Sequence, residues 1–174
     1  MLEVHEILVE AGVVHALCGG IAANLYRAEI RATTDVDFYI LVASTQLVAL
    51  TREFEGHGWR AHPFWRSNEQ LRLEKDETPR VDCLIAATDF ERAALHRTLA
   101  APFEGRPIPV LSPDDLIVFK LVAGRARDYE AVIAIINTAG RELDVPYIKA
   151  SLTELGIADR WARAREEAVR EAGA

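Results

Sequence analysis

Few of the residue types that mark secreted, zinc-binding or membrane proteins occur in this 174-residue chain. Its two cysteines, Cys18 and Cys83, lie in separate apolar segments without CxxC-type spacing, which argues against a disulfide framework or a zinc site and predicts buried, reduced thiols. No apolar run approaches the ~20 residues of a membrane helix, and the first residues, MLEVHEILVEAG, are acidic where a signal peptide is basic. We therefore expect a cytoplasmic protein that does not contact membranes.

An excess of positive charge is also absent. The formal net charge is −7, which disfavours indiscriminate binding to DNA or RNA because such binding depends on neutralising phosphates. A local basic groove is still allowed. Half of the residues are hydrophobic and 27% are charged, which is typical of a soluble globular domain.

The hydrophobic pattern changes along the chain from mixed to helical. Strands are predicted at residues 13–18, 36–42, 59–64, 70–74, 80–86 and 108–111. Helices are predicted at residues 2–11, 46–54, 90–99, 116–124, 129–139, 146–155 and 158–172, with a short helix or turn at 21–30. This order predicts an α+β fold, with an α/β core at residues 1–111 and a C-terminal helical portion at 112–174 packed on it.

Two aspartates lie at the start of the strand predicted at residues 36–42: one directly before it and one at its second position. Residues two apart on a strand face the same side, so Asp35 and Asp37 project together, about 6–7 Å apart. At an effective dielectric constant of ~20 their charges repel by roughly 3 kcal/mol. A bridging Mg²⁺ would relieve this repulsion and leave positions for substrate phosphates, whereas without metal the pair would retain one proton.

A third carboxylate, Asp82, lies within the apolar run VDCLIA, where an unpaired charge is costly. If its strand neighbours the Asp35–Asp37 strand, the three carboxylates converge and suit two-metal phosphoryl or nucleotidyl transfer. The alternatives are a solvated Asp-x-Asp strand end, and an ion pair of Asp82 with Arg80 or Arg31.

A glycine pair precedes these aspartates. Gly19 and Gly20 follow a predicted strand and open a short helix, an arrangement that offers backbone N–H groups to phosphates, although an ordinary tight turn has the same pattern. Basic candidates for binding a triphosphate are Arg31, Lys120 and Arg127.

These motifs together resemble a known family. The segment GGIAANLYRAEIRATTDVDFYI resembles the Gly-Gly…Arg-x-Thr-x-Asp-hydrophobic-Asp signature of polymerase-β-type nucleotidyltransferases, and is closest to the AbiEii-like branch associated with abortive-infection toxins. The later VLSPDDLIVFKLVAGRARDYEAVIAI resembles the second signature of that branch. The resemblance implies a mixed sheet flanked by helices, followed by a helical portion.

The resemblance also implies roles for individual residues. The implied nucleotide-binding residues are Gly19, Gly20, Arg31, Thr33, Lys120 and Asp128. The implied metal ligands and catalytic residues are Asp35, Asp37 and Asp82. Within these sets, Asp82 activates the acceptor hydroxyl and Asp128 orients Lys120 or the incoming group. Two positions depart from the pattern: Ile21 stands where many such enzymes have Ser, and Ala131 where a further Asp is common.

The implied activity is transfer of a nucleoside monophosphate from an NTP to a hydroxyl, with two Mg²⁺ ions as cofactor. The acceptor is an RNA end such as that of tRNA, a small hydroxylated molecule, or a protein. The segment WRAHPFWRSNEQLRLEK interleaves aromatic residues (Trp59, Phe64, Trp65) with arginines (Arg60, Arg66, Arg72) and would suit RNA. In the alternative interpretation, this segment is a hairpin whose aromatic side chains are buried and whose arginines are solvated.

Two other hypotheses belong to different functional classes. In the first, the protein is a catalytically degenerate module of the same fold that binds a nucleotide or a partner without turnover. In the second, it is a toxin–antitoxin component controlled by an antitoxin protein.

Overall fold

A computed structural model describes residues 1–63 and 69–173. The described residues form an α+β fold, as predicted. The helices are α1 (Leu2–Glu10), α2 (Gly19–Asn24), α3 (Ser44–Gly56), α4 (Asp89–Leu95), α5 (Pro113–Ala123), α6 (Ala126–Ala139), α7 (Val145–Glu154) and α8 (Ala158–Ala172). The strands are β1 (Val14–Cys18), β2 (Val36–Leu41), β3 (Arg60–Pro63), β4 (Gln70–Glu74), β5 (Val81–Ile85), β6 (Leu99–Phe103) and β7 (Arg106–Val110).

The seven strands form one mixed sheet in the order β3-β4-β5-β2-β1-β7-β6. Strand β2 pairs antiparallel with β1 and parallel with β5, and β5 pairs antiparallel with β4. The strands that carry the predicted carboxylates, β2 and β5, are therefore immediate neighbours near the middle of the sheet.

The alternation along β2 decides which of its side chains enter the core. Val36, Phe38 and Ile40 are at most 3% exposed, while the alternate positions, Asp37 and Tyr39, are half-buried on the other face. The sheet thus removes the apolar side chains of β2 from water and leaves its polar positions on a partly accessible face.

One predicted region is wrong. The helix predicted at residues 90–99 ends at Leu95, and Leu99–Phe103 instead forms β6, which pairs with a longer β7 than the one predicted. The two strands join through Glu104 and Gly105, whose φ angles of 50° and 80° match a two-residue hairpin turn. Prolines are unfavourable inside a sheet, but β6 is an edge strand, and edge strands tolerate proline.

The chain divides into two compact units. The first comprises Met1–Ile21 and Ala32–Leu111, and contains the sheet; the second comprises Ala22–Arg31 and Ser112–Ala174, and contains α5 to α8. Cys18 and Cys83 are free and buried, as predicted. No helix in the described parts of the chain is both long and apolar enough to cross a membrane.

Candidate active site

In the first unit, the register of β2 and β5 brings the three aspartates to one patch. Asp37 is paired with Asp82, and Val36 with Val81, so Asp35 and Arg80 stand side by side just before the two strands begin. Register partners on adjacent strands face the same side of a sheet, as do residues two apart on one strand. The predicted adjacency of the two strands is confirmed.

Asp82 is neutralised by an arginine that the sequence analysis did not assign to it. Arg72, its register partner on β4, donates from Nε to Oδ1 at 2.8 Å and from Nη2 to Oδ2 at 3.0 Å. Each side chain is 11% exposed, and the hydrogen bond to Asp82 raises the pKa of the Arg72 guanidinium. An arginine between two buried leucines of QLRLE was the available signal, because a charge in an apolar strand needs a buried partner.

A second arginine, Arg80, lies against two of the carboxylates. Its Nη2 donates to Asp35 Oδ1 at 2.8 Å, and its Nε lies 3.6 Å from Asp82 Oδ2. The Arg80 side chain is 40% exposed and that of Asp35 is 42% exposed. The repulsion expected between the carboxylates is therefore offset by guanidinium groups. The predicted ion pair of Asp82 with Arg80 is confirmed, whereas for Asp35 and Asp37 only a metal ion or a bound proton was predicted.

The donor atoms of this patch suit Mg²⁺ only in part. Among residues 1–63 and 69–173, no group of three His, Cys, Asp or Glu side chains is arranged to hold a metal ion. Mg²⁺, however, is usually bound through one or two carboxylates and completes its shell with water and substrate phosphates. Asp35 and Asp37, which are half-buried oxygen donors on one face, fit an ion shared with a bound triphosphate.

The glycine pair makes room for two polar side chains of the patch. Gly19 begins α2 with φ +66°, and a Cβ atom there would lie 2.0 Å from Oδ2 of Asp37. A Cβ atom at Gly20 would lie 2.9 Å from Oγ1 of Thr33. Both glycines therefore permit close packing of a predicted site residue on the turn, and their contact with a nucleotide stays a prediction.

The second unit contains the remaining predicted site residues. Lys120 on α5 and Asp128 on α6 are 8% and 3% exposed, with Nζ of the lysine 3.6 Å from Oδ1 of the aspartate. Arg125 also donates to Asp128, from Nε at 2.6 Å. Exposed Arg31 is paired with Glu130 at 2.8 Å. The structure thus brings Lys120 and Asp128 together within this unit, and their roles toward a nucleotide stay predictions.

For the segment proposed to stack on RNA, the described residues match the alternative hairpin at Trp59 and Arg60 but not at Arg72, and the RNA-binding role is wrong for Trp59 and Arg72. Trp59 is only 3% exposed, and Arg72 is committed to Asp82. Arg60 is exposed and is paired with Asp76 at 2.9 Å. The other three residues of that hypothesis, Phe64, Trp65 and Arg66, lie outside the described residues.

Comparison with known proteins establishes the fold at the level of architecture. No model of a protein family matches the chain, and no curated protein is significantly similar in sequence. The structure is similar to that of the antibiotic-resistance factor ANT(2'')-Ia (TM-score 0.62, 17% identity, 94% of this chain and 92% of that chain). It is also similar to the lincosamide antibiotic adenylyltransferase LnuA with bound lincomycin (TM-score 0.56, 15% identity, 77% and 92%).

A third similar structure is the Megavirus polyadenylate synthase (TM-score 0.50, 14% identity), of which the match covers 78% of this chain and 30% of that chain. These similarities show that the chain has the polymerase-β-type nucleotidyltransferase fold.

Proposed function

We propose that the protein is a Mg²⁺-dependent nucleotidyltransferase that moves a nucleoside monophosphate from an NTP to an acceptor hydroxyl. The observation that carries this proposal is the register of β2 and β5, which places Asp37 beside Asp82 and Asp35 two residues away on the same face. Three carboxylates on one patch of a sheet need counter-charges, which Arg72 and Arg80 supply in part, and their convergence supports a site for phosphoryl-group chemistry.

In this proposal Asp35 and Asp37 would hold Mg²⁺ together with the phosphates of the NTP. When bound, the ion would supply positive charge to the phosphates and lower the pKa of the acceptor hydroxyl. Asp82 accepts the proton of that hydroxyl as its oxygen bonds to the α-phosphorus and the bond to pyrophosphate breaks. Arg72 uses one lone pair on each oxygen of Asp82, which fixes the carboxylate and leaves a second lone pair on each oxygen for the proton.

For the acceptor we propose a small hydroxylated molecule. The chain spans 92% of two structures named for antibiotics and 30% of the polyadenylate synthase. Of the three arginines offered for RNA, Arg72 is buried against Asp82 and Arg60 is paired at the surface with Asp76, while Arg66 lies outside the described residues. The net charge of −7 likewise disfavours a polyanionic acceptor.

The test is transfer of label from each of four α-labelled NTPs, with Mg²⁺, to panels of aminoglycosides, lincosamides and total RNA. We expect label in a small-molecule product, and a loss of at least about 100-fold in Asp35→Asn and Asp37→Asn. The matched control is Asp89→Asn, which removes a fully exposed carboxylate that is paired with Arg92. Wild-type rates in Asp37→Asn would refute the mechanism, and label in RNA would refute the acceptor.

Two finer hypotheses from the resemblance need one further measurement each, namely NTP binding and co-purification of a partner protein. NTP binding without transfer to any panel would identify a degenerate nucleotide-binding module. Membership of the AbiEii-like branch and control by an antitoxin stay predictions, for which a co-purified protein that suppresses transfer is the measurement.

A further inference from the structure

The carboxylate patch contains two arginines that differ in how firmly they are held. Arg72 makes two hydrogen bonds to Asp82, at 2.8 and 3.0 Å, and both side chains are 11% exposed. Arg80 makes one hydrogen bond, to an Asp35 side chain that is 42% exposed, and its approach to Asp82 at 3.6 Å is an ion pair only. Its buried Nε has no hydrogen-bond partner among the described residues.

These differences predict unequal costs of removing each arginine from the patch. Separating Arg72 from Asp82 would leave two poorly solvated charges unpaired, which is strongly unfavourable. Moving Arg80 away would expose two groups that already contact water, and exposed ion pairs contribute little to stability. The Nε donor of Arg80 also makes no hydrogen bond to any described residue in this position, so the position of the side chain does not satisfy all of its donors.

We propose that Arg80 is an exchangeable counter-ion, which neutralises Asp35 until a divalent cation binds and which thereby sets the affinity of the patch for that cation. Arg72 is the permanent counter-ion and stays on Asp82 in both states. The inference rests on the proposed Mg²⁺ site at Asp35 and Asp37, and adds a positioning residue whose effect is on the affinity for the ion. The backbone carbonyl of Arg80 accepts a hydrogen bond from the N–H of Val36 at 3.1 Å, so the backbone is held independently of the side chain.

The test measures Mn²⁺ binding to the full chain without nucleotide, by titration calorimetry and by the electron paramagnetic resonance signal of free Mn²⁺. We expect Arg80→Gln to bind Mn²⁺ about two- to tenfold more tightly than wild type, because a competing positive charge is gone. Thermal unfolding gives a second readout, in which Mn²⁺ raises the Tm of Arg80→Gln more than that of wild type. Arg80→Lys keeps the charge and should bind Mn²⁺ nearly as wild type does.

The matched control is Arg92→Gln, since Arg92 is similarly exposed (44%) and is paired with Asp89 at the same 2.8 Å. It should leave Mn²⁺ affinity unchanged, whereas Asp37→Asn should abolish saturable binding. Unchanged or weaker binding in Arg80→Gln, or no saturable binding in any variant, would overturn the inference. Tighter binding in Arg80→Gln without transfer to any acceptor would instead overturn the proposed function and leave the inference standing.

Discussion

Replacing Gly19 by alanine separates two roles that a glycine has at this turn. Gly19 and Gly12 have the same φ of +66°, in the left-handed region that costs a non-glycine residue roughly 1–2 kcal/mol. A Cβ atom at Gly12 meets nothing within 4 Å, whereas a Cβ atom at Gly19 lies 2.0 Å from Oδ2 of Asp37. Gly12→Ala thus reports the backbone strain alone, and Gly19→Ala reports the strain together with a collision.

The size of the collision follows from the geometry. Ordinary van der Waals contact begins at 3.4 Å, so the Asp37 carboxylate must retreat by about 1.4 Å from the added methyl group. A displacement of about 1 Å in a catalytic group typically costs on the order of 100-fold in rate. We therefore expect Gly19→Ala to lose at least about 100-fold in nucleotidyl transfer, while Gly12→Ala retains wild-type activity.

The assays are nucleotidyl transfer, Mn²⁺ binding and urea unfolding of both variants. Both should lose about 1–2 kcal/mol of unfolding free energy from the shared backbone strain, and Gly19→Ala should also bind Mn²⁺ more weakly. Equal transfer rates in the two variants would refute the argument that Gly19 exists to admit Asp37. A loss of transfer in Gly12→Ala would show that stability, and not the position of the carboxylate, limits activity.

Two further predictions concern buried polar contacts away from the carboxylate patch. His5 Nδ1 lies 2.8 Å from His15 Nε2, and burial lowers the pKa of both residues below 6.5. The unfolded chain then binds protons more readily than the folded chain, so the free energy of unfolding should fall as the pH drops through about 6.5. Urea unfolding between about pH 5 and 8 measures this dependence, and His5→Gln should reduce it. Tyr147→Phe removes the hydroxyl that donates to fully buried Asp115 at 2.6 Å, and should lower the unfolding free energy by about 1–3 kcal/mol. A stability that is flat with pH in wild type, or an unchanged unfolding midpoint in Tyr147→Phe, would contradict these assignments.

The sequence located the carboxylates because their signal is local. An aspartate inside VDCLIA or beside DFYILV contradicts the apolar pattern around it, and the spacing of two along a strand fixes the shared face of Asp35 and Asp37. The signal that starts α5 is equally local: Ser112, directly before Pro113, accepts a hydrogen bond from the backbone N–H of Asp115.

The closest counter-ion of Asp82, Arg72, could not be predicted in the same way. The partner of Asp82 depends on which strand lies beside β5 and on the register of that pairing. Neither can be predicted from the residues next to Asp82 in the sequence. The sequence predicted an ion pair of Asp82 with Arg80 or Arg31. The structure confirms Arg80, whose Nε lies 3.6 Å from Asp82 Oδ2, adds the closer partner Arg72, and pairs Arg31 with Glu130 instead. Strand β6 was missed for a related reason, since only its position at the sheet edge makes Pro102 acceptable.

Because two arginines lie beside the three carboxylates, the stability of the sheet does not depend on a bound metal ion. If Asp82 depended on a metal ion for its counter-charge, β5 would hold a buried unpaired carboxylate whenever the ion left, and the sheet would lose stability. The Arg72–Asp82 pair removes this dependence, because it neutralises the most buried carboxylate from within the sheet. Asp35 and Asp37 are less buried than Asp82, and in our proposal they are the carboxylates that respond to ions and substrate. Weak, reversible metal binding is therefore compatible with a stable fold, and the chain should unfold at nearly the same urea concentration with chelator as with Mg²⁺ when no NTP is present.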